Sequence, residues 1–458
     1  MSGSGIVAVL DVGKTRTKLS VVDASGAVRE KRSTPSRSLA GPPYPHLDVE
    51  GTIAWILASL RELGERWPID VLVPVAHGAA AALMSGDELA LPVMDYEFRG
   101  PEELEATYHV PSFEETLSPP LPAGLNLGRQ LHWQSARMAG AFARATEILL
   151  YPQYIGWRLA GRKASEVTSL GCHTDLWCPR AHGFSSLAKA RGWDRLFPPM
   201  EEAWAELGPL RPEVRAATGL SASCRVLVGI HDSNAGYLPH RVTRTPPFSV
   251  VSTGTWVVCL AAGGSIEKLD PAADTLANVD VFGDPVPTSR FMGGRELEEI
   301  AGGSGGLGEV GDADVQRILE RGTFALPSFA PAGGPFRSSR GSIQGAALGT
   351  PIERAALGVL YCALMTDLCL DLIGAQGPCV VDGSFAQTPA FASWLAALRR
   401  DGTVELAEGD GGTTFGALVL AAWPASKLAV QRKEHRMTDV DGLDRYRARW
   451  RERLPPRG

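Results

Sequence analysis

The stretch IVAVLDVGKTRTKLSVVD, residues 6–23, decides how the rest of the chain is interpreted. It contains an apolar run, a tight turn rich in Gly and Thr, and a second apolar run, a pattern that predicts a β-hairpin. Residues 248–264, FSVVSTGTWVVCLAAGG, repeat the pattern nearly half the chain later. Gly lets the backbone approach an anion, and successive turn N–H groups form a concave anion site. The two hairpins together therefore predict a phosphate site that is contacted from two sides.

The two predicted turns differ in charge. The first carries a carboxylate, Asp11, and a cation, Lys14, whereas the second, residues 252–255, is neutral. A carboxylate repels bare phosphates, but it can bind a metal ion that accompanies them. The pair of turns therefore favours a metal-bound nucleotide over a bare phosphate as the ligand.

The length of 458 residues exceeds what one hydrophobic core usually supports. We expect two α/β domains, residues 1–243 and 244–458, divided at the polar, proline-containing segment 240–247. Strands are predicted at 71–76, 225–230 and 379–382. Helices are predicted at 49–66, at 352–373 and from Pro389 onward. A further helix is predicted in the segment that contains Trp133, Met138, Phe142 and Ile148. The charged tail from residue 427 is predicted to form a surface helix.

Composition restricts the class of protein. A net charge of −6 without a basic run argues against nucleic acid as a partner. Seven cysteines are scattered without a C-x-x-C pair, which favours free thiols over disulfides or a zinc site. Neither a signal peptide nor an uncharged apolar run of about 20 residues is found, so we expect a cytoplasmic protein without a membrane partner.

Three familiar glycine motifs do not fit their sequence context. Gly13, Lys14 and Thr15 resemble the end of a P-loop, but Ala8 stands where that motif needs Gly, and a strand follows instead of a helix. Residues 302–308 fit both a dinucleotide pattern and a nucleophile-elbow pattern, yet the segment before them is helical. A flexible loop accounts for these glycines better.

Asp232 is the most informative carboxylate. It follows the apolar strand VLVGI, and open α/β sheets bind ligands at the carboxyl ends of their strands. Asp232 also fits the N-cap of a following helix, and the two roles are compatible. His231 is open to either a ligand-facing or a structural interpretation.

Three other segments end a strand in a turn. Asp382, Gly383 and Ser384, followed by Gln387, suit the sugar or base of a nucleotide, with a plain tight turn as the alternative. The same alternatives apply to the Gly-rich turn 411–417. His77 and Gly78 suit a polar substrate pocket or a simple turn.

Taken together, these residues resemble the FGGY family of carbohydrate kinases, within the superfamily of actin, hexokinase and the heat-shock ATPases. DVGKTRTK is similar to the first phosphate motif of that family, STGTW to the second, VVDGSFAQTP to the adenosine motif, and GIHDSNAG to the segment that carries the catalytic aspartate. The four motifs occur in the family's order, from Ile6 to about Ala422.

The resemblance implies an α/β fold, a duplicated ribonuclease-H-like (actin/hexokinase-like ATPase) fold with two lobes and an interlobe cleft for ATP and sugar. Residues 1–243 would form the sugar-binding lobe, which carries the first phosphate motif and the catalytic aspartate, and residues 244–458 the nucleotide-binding lobe, which ends in a charged helix. Asp232 would act as general base in an in-line phosphoryl transfer, and Asp11 and Asp232 would hold Mg²⁺. The implied nucleotide contacts are Asp11, Gly13, Lys14, Thr15, Lys18, Thr253, Gly254, Thr255, Gly383, Ser384, Gln387 and Gly412. The implied sugar contacts are His77, Gly78, His231 and Asp232.

Three residues depart from the family pattern. Lys14 stands where many members have Thr or Ala, and Ser384 and Gln387 replace the usual Gly and Asn. His231 and Asp232, together with STGTW, are similar to rhamnulokinase and L-fuculokinase members, which favours a 6-deoxy-ketohexulose such as L-rhamnulose or L-fuculose.

Several matters stay open at this point. The other interpretations are a nucleotide-gated regulator or pseudokinase of the same fold, against which intact Asp11 and Asp232 argue, and a sugar sensor that lacks turnover. His173 and Asp175 follow the predicted substrate-domain helix and are left without a role. A homodimer is one of the assemblies that the sequence leaves open.

Overall fold

A computed structural model describes residues 5–303, 309–330, 333–400, 402–407, 412–424, 432–435 and 440–457. The chain forms two compact units. Unit 1 comprises Met1–Pro239, Ala277–Pro285 and Gly412–Ala429. Unit 2 comprises His240–Leu276, Val286–Gly411 and Val430–Gly458. Each unit is built from three segments of the chain, so a single boundary at residue 243 does not describe the division. The roles of the two predicted domains stay predictions.

Strands and helices are numbered in chain order. The strands are β1 Ile6–Val12, β2 Arg16–Val22, β3 Val28–Pro35, β4 Ser38–Leu39, β5 His46–Leu47, β6 Ile69–Ala76, β7 Ala81–Ser85, β8 Glu88–Leu91, β9 Glu147–Leu150, β10 Trp177–Cys178, β11 Gly183–Phe184, β12 Glu206–Pro209, β13 Arg225–Leu227, β14 Ile230–His231, β15 Phe248–Thr253, β16 Val257–Ala262, β17 Leu276–Val279, β18 Pro285–Phe291, β19 Phe324–Leu326, β20 Ser342–Gln344, β21 Cys379–Gly383, β22 Val404–Ala407 and β23 Arg432–His435. The helices are α1 Val49–Gly64, α2 Phe113–Thr116, α3 Leu127–Arg137, α4 Ala139–Phe142, α5 Tyr151–Ala160, α6 Val167–Leu170, α7 Ser186–Ala190, α8 Pro212–Thr218, α9 Asp232–Thr243, α10 Gly293–Ala301, α11 Asp312–Arg321, α12 Pro351–Leu372, α13 Pro389–Leu398, α14 Gly412–Ala421 and α15 Leu443–Arg451.

The main sheet of unit 1 is mixed and runs in the order β12-β13-β6-β1-β2-β3, with β14 also paired to β6. β1 and β2 form the predicted antiparallel hairpin, and β6 is parallel to both β1 and β14. The apolar face of α1, including Ile53, Ile56 and Leu60, is buried in the core of this unit. Asp48 caps the helix by accepting a hydrogen bond from the Gly51 amide.

Unit 2 repeats the arrangement. β15 and β16 form the second predicted hairpin, and β21 lies parallel to β15 as β6 lies parallel to β1. Along the sheet the order continues β18-β16-β15-β21-β22-β23. Helix α12 occupies the core of this unit together with α13.

Helix α12 is long and apolar enough to cross a membrane, by length and composition alone, with a mean hydropathy of 1.7 over its most apolar window. In the structure, however, 89% of that window is buried inside the protein. Seventeen of its residues are buried, from Glu353 to Leu370, so packing in the core of unit 2 accounts for its apolar sequence.

Two predicted elements need correction. Ile148 lies in strand β9 and not in a helix, because it pairs with Leu83 across a sheet. The strand predicted at 225–230 is broken between β13 and β14, where Gly229 has a φ of +85° and approaches Pro74 too closely for a Cβ. Most of the predicted flexible loop, residues 304–308, lies outside the described residues.

The charged tail is helical over part of its length. Helix α15 lies at the surface as predicted, with one face exposed, while Tyr446 and Trp450 on its other face are buried in the core of unit 2. Residues 432–435 form strand β23 and not part of the predicted helix. The Trp450 indole donates a hydrogen bond to the Ala325 carbonyl at 2.8 Å. Its arginines, Arg447 and Arg451, pair with a buried carboxylate, Asp367. Charge in the tail therefore serves an ion-pair network and not only solubility.

Candidate active site

Three neighbouring parallel strands of unit 1 end together. Val12 of β1 is in register with Ala76 of β6, which is in register with His231 of β14. The residues that follow these strands, Gly13, His77 and Asp232, therefore leave the same edge of the sheet side by side. The carboxyl edge of parallel strands is where α/β folds bind ligands.

Asp11 projects near the first turn, and its side chain is 15% exposed. It lies opposite Lys18 in the hairpin, and the Lys18 ammonium donates a hydrogen bond to it at 3.3 Å. Burial raises the pKa of Asp11, and the negative charge of Asp232 raises it further, while Lys18 opposes the shift. Asp11 and Asp232 are therefore close enough to repel each other electrostatically.

Lys14, predicted to contact phosphate, makes side-chain contacts elsewhere. Its ammonium forms an ion pair with Asp95, lies 3.5 Å from a carboxylate oxygen of Glu97 and stands 4.9 Å from the ring centre of Tyr96. Thr15, at the end of the same turn, is exposed. Residues 95–97 were missed by sequence reasoning, because nothing in the sequence connects them to a turn 81 residues away.

The predicted sugar residues lie at the ends of β6 and β14. The His77 ring nitrogen Nδ1 is 2.8 Å from the Gly78 carbonyl, and its ring packs against those of Tyr96 and Tyr151. A Cβ on Gly78 would lie 3.0 Å from Nε2 of His231. The structure thus brings His77, Gly78 and His231 together.

His231 is 5% exposed and lies between two acidic groups. Its Nε2 atom is 3.1 Å from Oδ1 of Asp232 and 3.6 Å from Sγ of Cys172. Burial lowers the pKa of His231, but Cys172 and Asp232 together raise it to about 9. Burial raises the pKa of Cys172, whereas His173 and His231 bring it down to about 5. Cys172 is a neighbour of the site that the sequence did not reveal.

Asp232 begins a helix, and its carboxylate is accessible to solvent. Helix α9 begins at Asp232, whose Oδ1 accepts a hydrogen bond from the Ser233 amide at 2.6 Å. The side chain remains 32% exposed. The accessible carboxylate is compatible with the predicted ligand-facing role, whereas the position of Asp232 inside the helix, bonded to the next amide, is not that of the predicted N-cap.

Helix α14 packs against the start of α9. A Cβ on Gly416 would lie 1.9 Å from the Ala235 carbonyl oxygen, so only glycine permits this approach. Gly412, predicted as a nucleotide contact of the C-terminal domain, is the first residue of α14 and belongs to unit 1. The predicted Gly-rich turn 411–417 is wrong from residue 412 onward, because Gly416 lies inside α14 and permits the close approach of that helix to α9.

In unit 2 the second hairpin meets the predicted adenosine segment through backbone contacts. Thr253 of β15 is in register with Gly383 of β21. The Thr253 hydroxyl donates to the Asp382 carbonyl at 2.6 Å and accepts from the Phe385 amide at 2.9 Å. Gly383 has a φ of +92°, and a Cβ there would lie 2.0 Å from the Thr253 carbonyl oxygen.

The remaining predicted nucleotide residues surround this contact. Gly254 and Thr255 form the turn of the hairpin, and Thr255 is exposed. Ser384 and Gln387 begin and end a short 3-10 helix and are exposed as well. The side chains of Thr255, Ser384 and Gln387 are exposed, and an added Cβ on Gly254 would meet no atom within 4 Å. These features suit a turn that contacts a ligand.

Comparison with known proteins agrees with this arrangement. A family model described as the C-terminal domain of carbohydrate kinase FGGY matches residues 245–430. The solved structure of a carbohydrate kinase from Novosphingobium aromaticivorans is 36% identical, covers 99% of each chain and has a TM-score of 0.90. This chain belongs to the FGGY family of carbohydrate kinases. The predicted family, the duplicated two-domain ATPase fold and the kinase class are confirmed.

More distant members share the fold. An L-fuculokinase from Salmonella typhi is 23% identical over 281 residues, which cover 57% of each protein. This chain thus matches little more than half the length of that kinase. A glycerol kinase from Plasmodium falciparum, solved with ADP, is 13% identical, with 98% and 97% of the two chains covered and a TM-score of 0.75.

The second turn of this FGGY kinase has supports that the motifs did not reveal. A Cβ on Gly294, in α10, would lie 2.3 Å from the Gly254 carbonyl oxygen. The Arg290 guanidinium lies 5.3 Å from the ring centre of Trp256 and donates to the buried Asp274 at 3.4 Å. The pair Gly293-Gly294 at a helix start was the sequence signal for this close approach.

His173 and Asp175, which had no predicted role, lie in strained backbone with φ values of +42° and +65°. Asp175 is buried and accepts hydrogen bonds from the Tyr108 hydroxyl at 2.8 Å and the Asn126 amide at 3.1 Å. His173 contributes to the low pKa of Cys172. The segment therefore fixes the position of Cys172 beside His231.

Proposed function

We propose that this FGGY kinase transfers the γ-phosphate of ATP to a hydroxyl of a small sugar, with Asp232 as the general base. The observation that carries the proposal is the convergence of Gly13, His77 and Asp232 at the ends of three adjacent parallel strands. It gives one edge of unit 1 a phosphate turn, a polar pocket and an accessible carboxylate.

Asp232 has the geometry of a positioned base. Within the described residues its hydrogen bonds, from Ser233 and from His231, go to Oδ1. We assign the other oxygen, Oδ2, as the atom that takes the proton from the sugar hydroxyl. Phosphoryl transfer depends mainly on alignment and on neutralisation of charge, so a fixed carboxylate beside the phosphate turn suffices as the base.

His231 acts on Asp232 as a positioning residue in this proposal. Contacts to Cys172 and Asn234 on either side of its ring fix the imidazole, whose Nε2 points at Asp232. The His231 amide also donates to the Thr168 hydroxyl at 3.1 Å. The ring therefore keeps Asp232 in one rotamer and contributes polar surface to the sugar pocket.

Asp11 and Asp232 fit a magnesium ion. Burial is the main cause of the raised pKa of Asp11, and the negative charge of Asp232 adds to it, so a divalent cation held by both carboxylates would relieve their repulsion. Among the described residues no cluster of three or more His, Cys, Asp or Glu forms a metal cage. Mg²⁺ is commonly held by one or two carboxylates together with substrate phosphates, and it would neutralise phosphate charge here.

The nucleotide contacts proposed for unit 2 are Thr253, Gly254, Thr255, Gly383, Ser384 and Gln387. The close approach of Gly383 to Thr253 supports this assignment, because it joins the phosphate turn to the adenosine segment. In unit 1 we propose Asp11, Gly13, Thr15 and Lys18 at the phosphates, and Gly412 near the adenosine.

A 6-deoxy-ketohexulose such as L-fuculose or L-rhamnulose is the proposed substrate class. The 23% identity to the L-fuculokinase supports it. Relatives of the same fold are named for other substrates, including a xylulose kinase from Rhodospirillum rubrum and a gluconate kinase from Lactobacillus acidophilus. The test must therefore cover several sugars. A cytoplasmic location and a homodimer stay predictions.

The first experiment measures ADP release with MgATP across L-fuculose, L-rhamnulose, D- and L-xylulose, L-ribulose, erythrulose, gluconate and glycerol. We expect one ketose to raise the rate well above that without sugar. ATP binding without stimulation by any sugar would contradict the proposal and favour a sensor of the same fold.

The decisive variant is Asp232→Asn. We expect kcat to fall roughly 10²–10⁴-fold with sugar binding retained, because a positioned base contributes about that much. Asp48→Asn is the matched control, since it makes the same change at the cap of α1, where Asn also caps well. An unchanged kcat in Asp232→Asn would show that Asp232 is not the base.

A further inference from the structure

Lys14 lies in the phosphate turn by sequence, yet its side-chain contacts come from another loop. The ammonium contacts Asp95, Glu97 and the face of Tyr96, which are three consecutive residues. Its side chain is 16% exposed. The position of Lys14 in the turn therefore does not decide which ligand it contacts.

Asp95 holds Lys14 firmly. The Asp95 side chain is 7% exposed, and both of its oxygens are engaged. Oδ1 accepts from Lys14 and from the Glu97 amide, while Oδ2 accepts from the Ser38 hydroxyl. Moving Lys14 to a phosphate would leave a buried carboxylate without its cation, which is strongly unfavourable. Lys14 is thus expected to keep this partner when ATP binds.

The loop that holds Lys14 lies on the side of the predicted sugar residues. The rings of Tyr96 and His77 are 5.5 Å apart, and those of His77 and Tyr151 are 5.2 Å apart. Burial lowers the pKa of His77, and the positive charge of Lys14 contributes in the same direction, so the two groups are within electrostatic reach. Lys14 and His77 therefore belong to one polar cluster.

Lys14 retains donors for a ligand. A lysine ammonium has three N–H donors, and the ion pairs with Asp95 and Glu97 use at most two of them. Because these two carboxylates offset the charge of Lys14, the cluster favours a neutral hydroxyl oxygen over a carboxylate. We propose that Lys14 is a specificity-determining residue of the sugar site, not a phosphate ligand, and that its ammonium, held in place by Asp95, donates a hydrogen bond to a sugar hydroxyl.

The inference rests on the proposed kinase function. It predicts that substitutions of Lys14 change KM for the sugar but not KM for ATP. In Lys14→Thr, which introduces a residue found in other family members, KM for the sugar rises roughly tenfold or more while KM for ATP changes less than twofold. Asp95→Asn changes the constants in the same direction. Lys14→Arg, which keeps the charge and the ion pair, restores most of the sugar affinity.

Lys163 provides a matched control. Its ammonium pairs with Glu147 at 3.0 Å, lies 5.8 Å from the ring centre of Trp157, and its side chain is 17% exposed. Lys163→Thr therefore removes the same kind of half-buried lysine elsewhere in unit 1. We expect both KM values to stay within twofold of wild type, and melting temperatures to show that all variants are folded.

Direct binding completes the test. Calorimetry measures the binding of MgATP, and of each panel sugar, to wild type and Lys14→Thr. Weaker sugar binding with unchanged MgATP binding supports the inference. A rise in KM for ATP with an unchanged KM for sugar would overturn it and restore Lys14 to the phosphate site. A wild-type protein that binds MgATP but none of the sugars would overturn the inference and the proposed function together.

Discussion

The two hairpins of this kinase have the same topology but are supported in different ways. Each is an antiparallel pair whose first strand has a parallel neighbour, β6 for β1 and β21 for β15. The first turn is surrounded by charged side chains, with Lys14 paired to Asp95 and Lys18 to Asp11. The second depends mainly on close backbone approaches, at Gly383 and Gly294, and has one ion pair nearby, between Arg290 and Asp274. A duplicated fold can therefore keep its backbone while its two copies depend on different interactions.

This difference predicts different sensitivities. A turn supported by ion pairs should respond to the removal of a charge and to pH, because ion pairs depend on ionisation. A turn supported by close backbone contact should respond to one added methyl group and little to charge. Three variants test the contrast, and they are ordered from the largest expected effect to the smallest.

Gly383→Ala tests the backbone support of the second turn. The added Cβ would lie 2.0 Å from the Thr253 carbonyl oxygen, and a φ of +92° strains any residue with a side chain. We expect a loss of roughly 3 kcal/mol or more in unfolding free energy, together with loss of ATP binding, since strain alone costs about 1–3 kcal/mol. Denaturant unfolding measures it.

Gly254→Ala is the control for this variant. A Cβ on Gly254 would have no atom within 4 Å, so the stability of the protein should change little. Equal stability of Gly383→Ala and wild type would show that the second turn does not depend on this approach.

Asp11→Asn tests the charged support of the first turn. The variant keeps the shape of the side chain but removes the charge that pairs with Lys18 and is proposed to hold Mg²⁺. We expect kcat to fall about 10²–10³-fold, which is typical for the loss of one preorganised electrostatic group, and half-maximal activity to require more Mg²⁺. Steady-state rates over a Mg²⁺ titration measure both effects.

Ser252→Ala is the corresponding change just before the second turn, where the side chain is exposed and uncharged. Its kcat should stay within about threefold of wild type. A large loss in Ser252→Ala, or none in Asp11→Asn, would remove the proposed difference between the turns.

Glu166→Gln tests the pH dependence of unit 1, which carries the first turn, at a carboxylate that caps helix α6. Glu166 is fully buried, and burial raises its pKa to about 7, although hydrogen bonds from Thr168 and Ser169 oppose the shift. In the unfolded chain it ionises near its ordinary value of 4.5. Protonated Glu166 therefore contributes its full share to the unfolding free energy below pH 4.5. That share is lost as the pH rises to about 7, because Glu166 ionises in the unfolded chain before it ionises in the folded protein.

Between pH 4.5 and about 7, the ionisation of Glu166 should lower the unfolding free energy of the wild-type protein by at most about 3 kcal/mol. In Glu166→Gln the decline should be smaller by that amount. Glu213→Gln, at a carboxylate that is 67% exposed, controls for the removal of one negative charge. An identical slope in wild type and Glu166→Gln would contradict the pKa of Glu166.

Local sequence patterns were sufficient for part of this structure. Apolar runs on either side of a turn rich in Gly and Thr predicted both hairpins at their observed positions, and His77 and Asp232 were each predicted at the end of a strand. Both depend on short-range preferences of the backbone, which a single sequence displays. The resemblance of four ordered motifs to FGGY kinases supplied the family.

Contacts between distant segments were not predictable in this way. Lys14 and Asp95 are 81 residues apart, and Gly416 meets Ala235 across an even longer stretch of chain. Such contacts depend on how elements pack in three dimensions, and no local pattern encodes them. The buried contacts of the charged tail were not predicted for the same reason, because Trp450 and the arginines of α15 have partners only in the folded unit.

Helix α14 has a consequence for how this protein is made. The segment that packs on α9 is synthesised after nearly all of unit 2, although it completes unit 1. On the ribosome, the N-terminal 239 residues therefore emerge without the helix that covers the base of α9, and they wait for about 170 more residues at roughly 5–20 residues per second. A gene fragment that encodes only those first residues should consequently give an incomplete unit with exposed apolar surface where α14 belongs.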